Sequence, residues 1–393
     1  MKAYLLAGAG LLAAAGPAVG QISDFQISPA SVFLGNAELT LGGRAAGAVF
    51  AADQPGTFDQ ASATGYAVVN PTLVRNYDSG LSFGLTSSIL LYTDHLYTGR
   101  NGNDAFQYAY GHVQTGLGRV EIGMTDGAAT RLASAGPRLV SDLSFGDPSL
   151  SPFRDPSTDK AFVNIFTPRD RIVSSADFAK ISLYTPRLFG VQLGASFTPS
   201  ESKQILPGVN SGAKVANRQQ NMWEVAASYA DDINDVSGVS LYGALSVGHN
   251  GTKTAGHEGL TDWAIGASYN YDIAENWVVS LGGAYHSSNA YAFNLNNVLA
   301  AGMTDTATFS LAAETGGWKF GGEYVTGSAE GSVGSPTVNL HGFQFSAGYA
   351  LTSNATLSAG WQRLNYSRNA GNFYNASPRI GLNGATLHLD FNI

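Results

Sequence analysis

The sequence has no cysteine and little charge: of 393 residues, only 13% are Asp, Glu, Lys or Arg. The missing thiols exclude disulfides, thiolate catalysis and cysteine-ligated metal sites. In soluble globular proteins about 25% of residues are charged. A fraction this low leaves too few charged side chains for the surface of a soluble protein of this length. Beyond the N-terminus, no stretch approaches the ~20 apolar residues of a membrane helix. Both a soluble enzyme and a helical membrane protein are therefore disfavoured.

The first twenty residues have the pattern of a secretory signal peptide. Lys2 precedes a small, apolar run over 3–16, and residues 18–20 offer a cleavage site. We expect residues 1–20 to be removed on export and residues 21–393 to form one domain. Lys2 is one of 21 basic residues, so the mature chain carries 20 against 29 acidic ones, a net charge of −9. That charge disfavours nucleic-acid binding, which depends on cationic side chains.

From about residue 36 onward, apolar and polar residues alternate with a period of two, the pattern of half-buried β-strands. Near the end of the chain, Leu387 and Leu389 alternate with His388 and Asp390. We count sixteen such runs, which begin near residues 36, 62, 80, 104, 117, 177, 189, 220, 237, 261, 276, 304, 317, 339, 354 and 379. Short turns follow every second run, and longer gaps separate the others. Short connections on one rim and long ones on the other are typical of outer-membrane barrels.

Charged residues mark the face of these strands that should line the interior. Arg75 and Arg363 share parity with apolar neighbours, and we expect both near strand ends, where a long side chain reaches the interface. Ten others lie opposite the apolar stripe: Glu38, Arg44, Arg119, Glu121, Lys180, Glu224, Glu314, Lys319, Glu323 and Asp390.

An even strand number, with Trp and Tyr at both ends of the apolar stripes, favours a membrane barrel over a soluble sandwich. In hydrocarbon an open sheet would leave backbone groups unpaired, so the first and last strands must meet. A barrel of sixteen strands is too wide for side chains to fill. The sequence therefore predicts an all-β, 16-stranded antiparallel transmembrane barrel around an aqueous channel.

One long connection, about 126–176, departs from the alternation and contains many prolines. A structureless loop of this length is rare unless it is functional or packed inside something. It carries six acidic and six basic residues. The alternatives are a mobile surface loop, an arm that clasps a neighbouring subunit, and a loop folded into the lumen that narrows the pore. Opposed charges across a narrow channel would filter permeants by charge, and we favour this third reading.

The segments 116–123, 177–186 and 190–196, with the long loop between the first two, resemble the general porins of Gram-negative bacteria, particularly the alphaproteobacterial kind. The resemblance extends over essentially the whole mature chain, although its motifs are loose strand patterns. It implies a homotrimer of sixteen-stranded barrels in the outer membrane, in contact with lipid and lipopolysaccharide. It also implies a third external loop that constricts the pore.

The same resemblance implies that acidic groups of the loop face basic groups of the wall. Carried over to this sequence, the loop acids are Asp142 and Asp147, and the wall bases are Arg44, Arg119 and Lys180. The chain departs from the family by ending in Ile393, where a terminal Phe is usual. The resemblance implies a water-filled channel for passive diffusion of small hydrophilic solutes and ions. The net charge of the mature chain adds a mild preference for cations.

Catalytic and metal-binding patterns are weak. The stretch 80–84 matches G-x-S-x-G, but it lies at the start of a strand and lacks the strand-turn-helix setting of a nucleophile. His257 and Glu258 lack the second histidine of a zinc-protease helix. We therefore expect no enzyme, cofactor or metal. The open alternatives are a substrate-specific channel, for example for a sugar, which would need an aromatic ladder in the lumen, and less favoured, a barrel adhesin, anchor or enzyme.

Overall fold

A computed structural model describes most of the chain between residues 30 and 392. The described ranges are 30–55, 61–93, 106–146, 148, 150–153, 168–175, 178–200, 219–232, 237–249, 259–274, 276–289, 303–330, 337–372 and 377–392. The predicted signal segment 1–20 lies outside them, as does Asp147. No helix in these ranges is both long and apolar enough to cross a membrane.

The described residues form seventeen strands, one short α-helix, α1, Ala128–Arg131, and one 3₁₀ turn, Ser141–Leu143. The strands are β1 Ala30–Leu34, β2 Ala37–Asp53, β3 Ala61–Asn76, β4 Ser82–Thr93, β5 Phe106–Thr115, β6 Gly118–Met124, β7 Ala179–Tyr184, β8 Val191–Ser200, β9 Gln220–Asp232, β10 Gly238–His249, β11 Gly259–Ala274, β12 Trp277–Ser288, β13 Thr304–Thr315, β14 Trp318–Glu330, β15 Thr337–Ala350, β16 Ala355–Arg368 and β17 Arg379–Asn392.

Sixteen of these strands, β2 to β17, form a closed ring. Each pairs antiparallel with the next along the chain, and β17 closes the ring by pairing with residues 44–53 of β2. All sixteen predicted strand starts lie within three residues of the observed ones. The remaining strand, β1, was not predicted; it pairs only with residues 37–41 at the start of β2, a stretch that β17 does not cover. The predicted closed 16-stranded barrel is confirmed.

The inward face of the ring is the predicted polar one. All ten charged residues assigned to it have the parity of the buried inward positions, for example Glu121 and Glu224 at 0% and 1% exposure. Arg75 and Arg363 point outward, as their parity indicated. Arg75 is the residue before the last in β3, near a strand end as expected. For Arg363 that expectation was wrong, because five residues of β16 follow it.

Aromatic side chains on the outward face gather toward the two rims. Trp277 and Trp318 are the first residues of their strands, at the rim with the short turns. Trp223 and Trp263 lie near the start of β9 and β11, at the rim with the long connections. Exposed Leu, Ile, Val and Phe side chains occupy the positions between them. The outside of the barrel therefore has an apolar band with an aromatic border on each side.

The described part of the long connection between β6 and β7, residues 125–146, 148, 150–153, 168–175 and 178, is packed against the inside of the barrel. Its residues Phe145 and Phe153 join a buried cluster with inward side chains of β14 to β17, among them Leu340 and Leu382. Val140, Leu143 and Leu150 join a second buried cluster with Phe50 and Tyr66 of β2 and β3. The predicted location of this loop in the lumen is confirmed, and we call it the lumen loop.

Candidate functional site: the barrel lumen and its loop

The lumen loop leaves the wall at the end of β6 and is held there by polar groups of the neighbouring strands. Ser196 Oγ accepts a hydrogen bond from the Ala128 backbone N–H at 2.7 Å, and Glu224 Oε2 accepts one from Ala129 at 3.2 Å. Gly127 precedes them, and a Cβ there would lie 1.9 Å from Glu224 Oε2. The wall therefore satisfies two backbone donors at the first turn of α1 that have no partner within the helix.

Lys180 fastens the two ends of the lumen loop to each other. Its ammonium group donates to the carbonyl oxygen of Thr125 at 2.5 Å and to that of Ser175 at 3.1 Å. Only 4% of the residue is exposed. The sequence predicted Lys180 as a basic group of the pore wall, and the structure shows it bound to the backbone of the loop itself.

The guanidinium groups of Arg119 and Arg131 share one buried carboxylate near the start of the loop. Arg119 Nε donates to Glu121 Oε1 at 2.7 Å, and Arg131 Nη2 lies 3.0 Å from Oε2. The Arg131 guanidinium also lies over the rings of Tyr110 and Tyr184, at 5.5 and 6.0 Å from their centres. This cluster holds α1 against β5, β6 and β7.

Glycines on the inward face make room for the next part of the loop. A Cβ added to Gly266 of β11 would lie 2.1 Å from the Ser134 carbonyl oxygen, and one added to Gly282 of β12 would lie 2.7 Å from the Gly136 Cα. Ser134 Oγ is also 3.2 Å from Ser268 Oγ. Because backbone approaches backbone this closely, larger residues at these positions would push the loop away from the wall.

A second set of polar contacts lies on the opposite side of the barrel. Glu323 Oε2 accepts hydrogen bonds from Ser144 Oγ and from the Phe145 backbone N–H, both at 3.1 Å. Gln362 Nε2 donates to the Leu143 carbonyl oxygen at 3.3 Å. Together with the apolar clusters around Phe145 and Phe153, these contacts seat the far part of the loop on β14 to β17.

The carboxylate of Asp142 in the loop bonds to three different side chains of the barrel wall. Its Oδ1 accepts from Tyr66 OH at 2.8 Å, and its Oδ2 lies 2.9 Å from Arg44 Nη2 and 2.8 Å from His388 Nε2. Arg44 also holds Asp390 through two hydrogen bonds, of 2.9 and 2.7 Å. We call these five residues the Asp142 cluster; it joins the loop to β2, β3 and β17.

Burial and bonding act in opposite directions on the Asp142 carboxyl group. Burial by itself raises the pKa of Asp142, whereas the hydrogen bond to His388 and the charge of Arg44 lower it, and their sum places the pKa below its usual value. Asp142 is therefore ionised at neutral pH. Its negative charge is paired with Arg44 and buried, with 1% of the side chain exposed.

In three arginine–carboxylate clusters of the described lumen, the carboxylate is buried and the arginines lie closer to the water. The carboxylates of Glu121, Asp142 and Asp170 have side-chain exposures of 5% or less. The guanidinium partners retain 15–35%; they are Arg44, Arg119, Arg131, Arg138 and Arg171. The part of each cluster that meets water is therefore mainly its arginine.

The predicted site residues are thus distributed over three places. Arg44 and Asp142 are brought into direct contact, Arg119 and Lys180 lie in separate clusters near the loop ends, and Asp147 lies outside the described residues. Sequence reasoning did not single out Tyr66 and His388, which share the carboxylate of Asp142. Glu224 and Glu323 were assigned to the inward face but not to the site. Inward parity was the one available signal for all four, and it does not reveal contact with a loop.

Comparison with known proteins gives a consistent result. A family model described as Gram-negative porin matches residues 7–369. No curated protein sequence matches the chain. Among solved structures, a mutant porin of Rhodobacter blastica has a TM-score of 0.51 at 15% identity and covers 90% of this chain and 100% of its own. OmpT, an outer membrane protein of Vibrio cholerae solved in a trimer form, has a TM-score of 0.55 at 11% identity, with coverages of 91% and 100%.

Proposed function

This chain belongs to the Gram-negative porin family, and we propose that it lets small hydrophilic solutes and ions diffuse passively through the outer membrane. The family and the barrel fold make it an outer-membrane channel. The observation that carries the wider proposal is the closed ring of sixteen strands with a loop packed along its inner wall, because this leaves a lumen too wide to be filled. Recording from planar bilayers should show stepwise, ohmic conductance increments. Protein that inserts without conducting would contradict the proposal.

A general diffusion channel suits the lumen better than a sugar-specific one. A sugar channel needs aromatic rings exposed along the path of the permeant. In the described part of the lumen, five inward aromatic residues are each no more than 6% exposed, namely Phe50, Tyr66, Tyr184, Tyr242 and Tyr366. Two more, Tyr108 and Tyr110 of β5, are half-buried and contact Asp126 and Arg131 of the loop. These rings pack under the loop. Conductance that saturates with one class of sugar would favour the specific channel instead.

The mild preference for cations rests on the net charge of the mature chain. The geometry of the described lumen supports a mild preference. The carboxylates of Glu121, Asp142 and Asp170 are buried beneath their arginine partners, whereas 46% of the Glu314 side chain remains exposed. Among the predicted constriction residues, Arg44 and Arg119 keep a quarter or so of their side chains exposed and are suited to act on permeants directly. Asp142 and Lys180 are suited to hold the loop that shapes the constriction. Asp147 retains its proposed role as a loop acid.

The proposed homotrimer has a suitable contact face on β2 and β3. Outward positions there are small, as at Ala45, Gly47, Ala63 and Ala67, and would allow close approach of another barrel. A Cβ at Gly47 would have no neighbour closer than 3.8 Å, so Gly47→Trp should disturb the contact without disturbing the barrel. Native mass spectrometry should show trimers of the unchanged protein and monomers of this variant.

The matched control is Gly243→Trp, on the outward face of β10. A Cβ at Gly243 has an equally open surrounding, with its nearest neighbour at 4.0 Å. This variant should remain trimeric. Trimers that survive Gly47→Trp, or dissociate equally with Gly243→Trp, would show that β2 and β3 do not form the contact.

Export by a cleaved signal peptide is the remaining part of the proposal. The apolar run over 3–16 and the small residues at 18–20 support it. Mass measurement of the protein purified from outer membranes should give a chain that begins at Gln21. Retention of residues 1–20 in the membrane-inserted barrel would contradict this.

A further inference from the structure

The outward face of β15, β16 and β17 changes from apolar to polar at a defined level. The strand register places Phe345, Trp361 and Ala385 side by side in the last row that is entirely apolar. The next two rows toward the long-connection rim are Phe343, Arg363 and Asn383, and then His341, Asn365 and Gly381. On the side of the long-connection rim, polar groups that form hydrogen bonds therefore lie next to the aromatic rings of Phe345 and Trp361.

Arg363 is the unusual member of this patch. A charge on the lipid-facing side of a barrel is costly unless it lies near the interface and finds a partner. Arg363 Nε donates to Asn365 Oδ1 at 3.2 Å, and within the described ranges the guanidinium has no ion pair. Its two remaining nitrogens are available to an anion that approaches from the membrane side.

His341 adds a further donor beside it. Thr326 Oγ1 lies 3.1 Å from His341 Nδ1, and Tyr324 OH lies 3.3 Å from the same nitrogen. A hydroxyl that donates to Nδ1 leaves the ring proton on Nε2, which is then a donor toward the membrane. His341 stands directly opposite Asn365 and diagonal to Arg363 in the register, within reach of one shared ligand.

From this arrangement we propose that the patch of His341, Arg363, Asn365 and Asn383 binds the phosphate-bearing headgroup of lipopolysaccharide. A planar guanidinium binds phosphate through two parallel hydrogen bonds. The patch lies toward the long-connection rim, which is the external one in outer-membrane barrels. A headgroup held there would place its acyl chains on Phe345 and Trp361, whose rings are stacked 6.3 Å apart. The proposal rests on the outer-membrane location and adds a defined lipid site to it.

The nearest carboxylate in the register is Asp53, which stands opposite Asn383 and two strands from Arg363. It forms no ion pair with Arg363 within the described ranges. Its charge opposes anion binding at the patch edge, so Asp53→Asn should tighten the binding of a phosphate-bearing headgroup. Weaker binding by Asp53→Asn would count against an anionic ligand.

The test uses the full mature chain in a neutral detergent and counts bound lipid by native mass spectrometry. The probes are purified lipopolysaccharide, the same material with its phosphates removed, and phosphatidylglycerol. The unchanged protein should bind the phosphate-bearing lipopolysaccharide in preference to the other two. Arg363→Gln should weaken that binding about tenfold or more, as expected for loss of a charge-assisted pair of hydrogen bonds.

Arg75→Gln is the matched control, since Arg75 is also an outward arginine but lies at the opposite rim beside Tyr77. It should bind lipopolysaccharide as the unchanged protein does. Arg363→Lys should give intermediate binding of lipopolysaccharide. It replaces Arg363→Gln in the test if that variant does not fold. Conductance in planar bilayers should be equal in all three variants, which separates this proposal from the channel function.

Three results would overturn the proposal. The first is equal lipopolysaccharide binding by Arg363→Gln and the unchanged protein. The second is equal binding of the phosphate-free lipid or of phosphatidylglycerol. The third is dissociation of Arg363→Gln into monomers that keep their lipid, because the patch would then be a contact between subunits.

Discussion

The lumen loop is held by two chemically different walls. Near its start, on β8 to β12, the wall offers hydroxyls, a buried carboxylate and glycines, and the loop approaches it backbone to backbone. On β14 to β3, the wall offers buried apolar side chains and the Asp142 cluster. The first wall determines the path of the loop because its glycines leave space for the loop backbone. The second wall holds the loop by burying apolar side chains and by pairing charges. The two walls should therefore fail in different ways when they are altered.

The apolar wall should show the largest effect. Phe153 is 1% exposed, and its ring lies against Gly384 of β17. Phe153→Ala should destabilise the seated loop by about 3–5 kcal/mol, the usual cost of emptying such a site. Hydrogen exchange should then rise in the loop near 139–153 while the strands stay protected. Phe345→Ala, which removes an outward ring, is the control and should leave loop exchange unchanged.

The glycine wall should be sensitive to added volume. Gly266→Val places its Cβ against the Ser134 carbonyl oxygen and should cost about 1–3 kcal/mol of loop seating. Exchange should rise near 128–136 and remain low near 139–153, since the far contacts are intact. Gly243→Val, with open space around it, should have no such effect. Equal rises over both parts of the loop would show that the two walls act as one unit.

Loss of the Asp142 carboxylate should also have a smaller effect than loss of Phe153, because Arg44 keeps Asp390 as a partner. Asp142→Asn should cost about 1–3 kcal/mol. The pKa of Asp142 is lowered in the folded protein, so its contribution is complete above the unfolded value of about 3.9. It is lost only as the pH falls through the lower, folded value. Conductance should stay constant from pH 7 to about 4 and change below it.

An acid-induced change that is also present in Asp142→Asn would assign the transition to another group. His388→Gln is a useful second variant, since a glutamine amide can still donate to Asp142 without carrying charge. It should keep the loop seated at pH 7 and shift the acid transition to higher pH, because the cluster then lowers the pKa of Asp142 less.

The charge selectivity of the channel should show the smallest effect. Arg119→Gln removes a guanidinium that is 28% exposed while leaving the buried Glu121 with Arg131. The reversal potential in a salt gradient should move toward cations, most clearly at low salt, where screening is weakest. Asp305→Asn is the control, because Asp305 is outward and bonded to Tyr285. Equal shifts from both changes would mean that Arg119 does not face the permeant.

The sequence alone was sufficient for the wall and insufficient for the contacts of the loop. Period-two alternation placed all sixteen barrel strands, because a strand between lipid and water has a repeating pattern of its own. Strand β1 was missed since it is only 5 residues long and has no buried face. Arg44 and Asp142 were both named as site residues, but their contact was not predicted. Arg44 lies 98 positions and His388 lies 246 positions from Asp142, and contacts at such separations produce no local sequence pattern.

The glycines that contact the loop also could not be identified from the sequence. The richness of the inward face in small residues was visible, whereas Gly266 and Gly282 cannot be distinguished from other glycines until a loop is seen to lie on them. Lys180 was named as a basic group of the pore wall from the family resemblance, and its parity is inward. Its burial depends on two carbonyl groups of the loop ends, and those positions become defined only by the fold.

The most direct test of a conducting barrel with a permanently seated loop uses the absence of native cysteine. Ser134 and Ser268 place their hydroxyl oxygens 3.2 Å apart, so two sulfur atoms in their places would need to approach by about 1 Å to form a disulfide bond. The Ser134→Cys, Ser268→Cys double variant should oxidise to an intramolecular disulfide. Its single-channel conductance should equal that of the unchanged protein, before and after reduction. A disulfide that fails to form, or a conductance that rises on reduction, would contradict a loop that stays on the wall while the channel conducts.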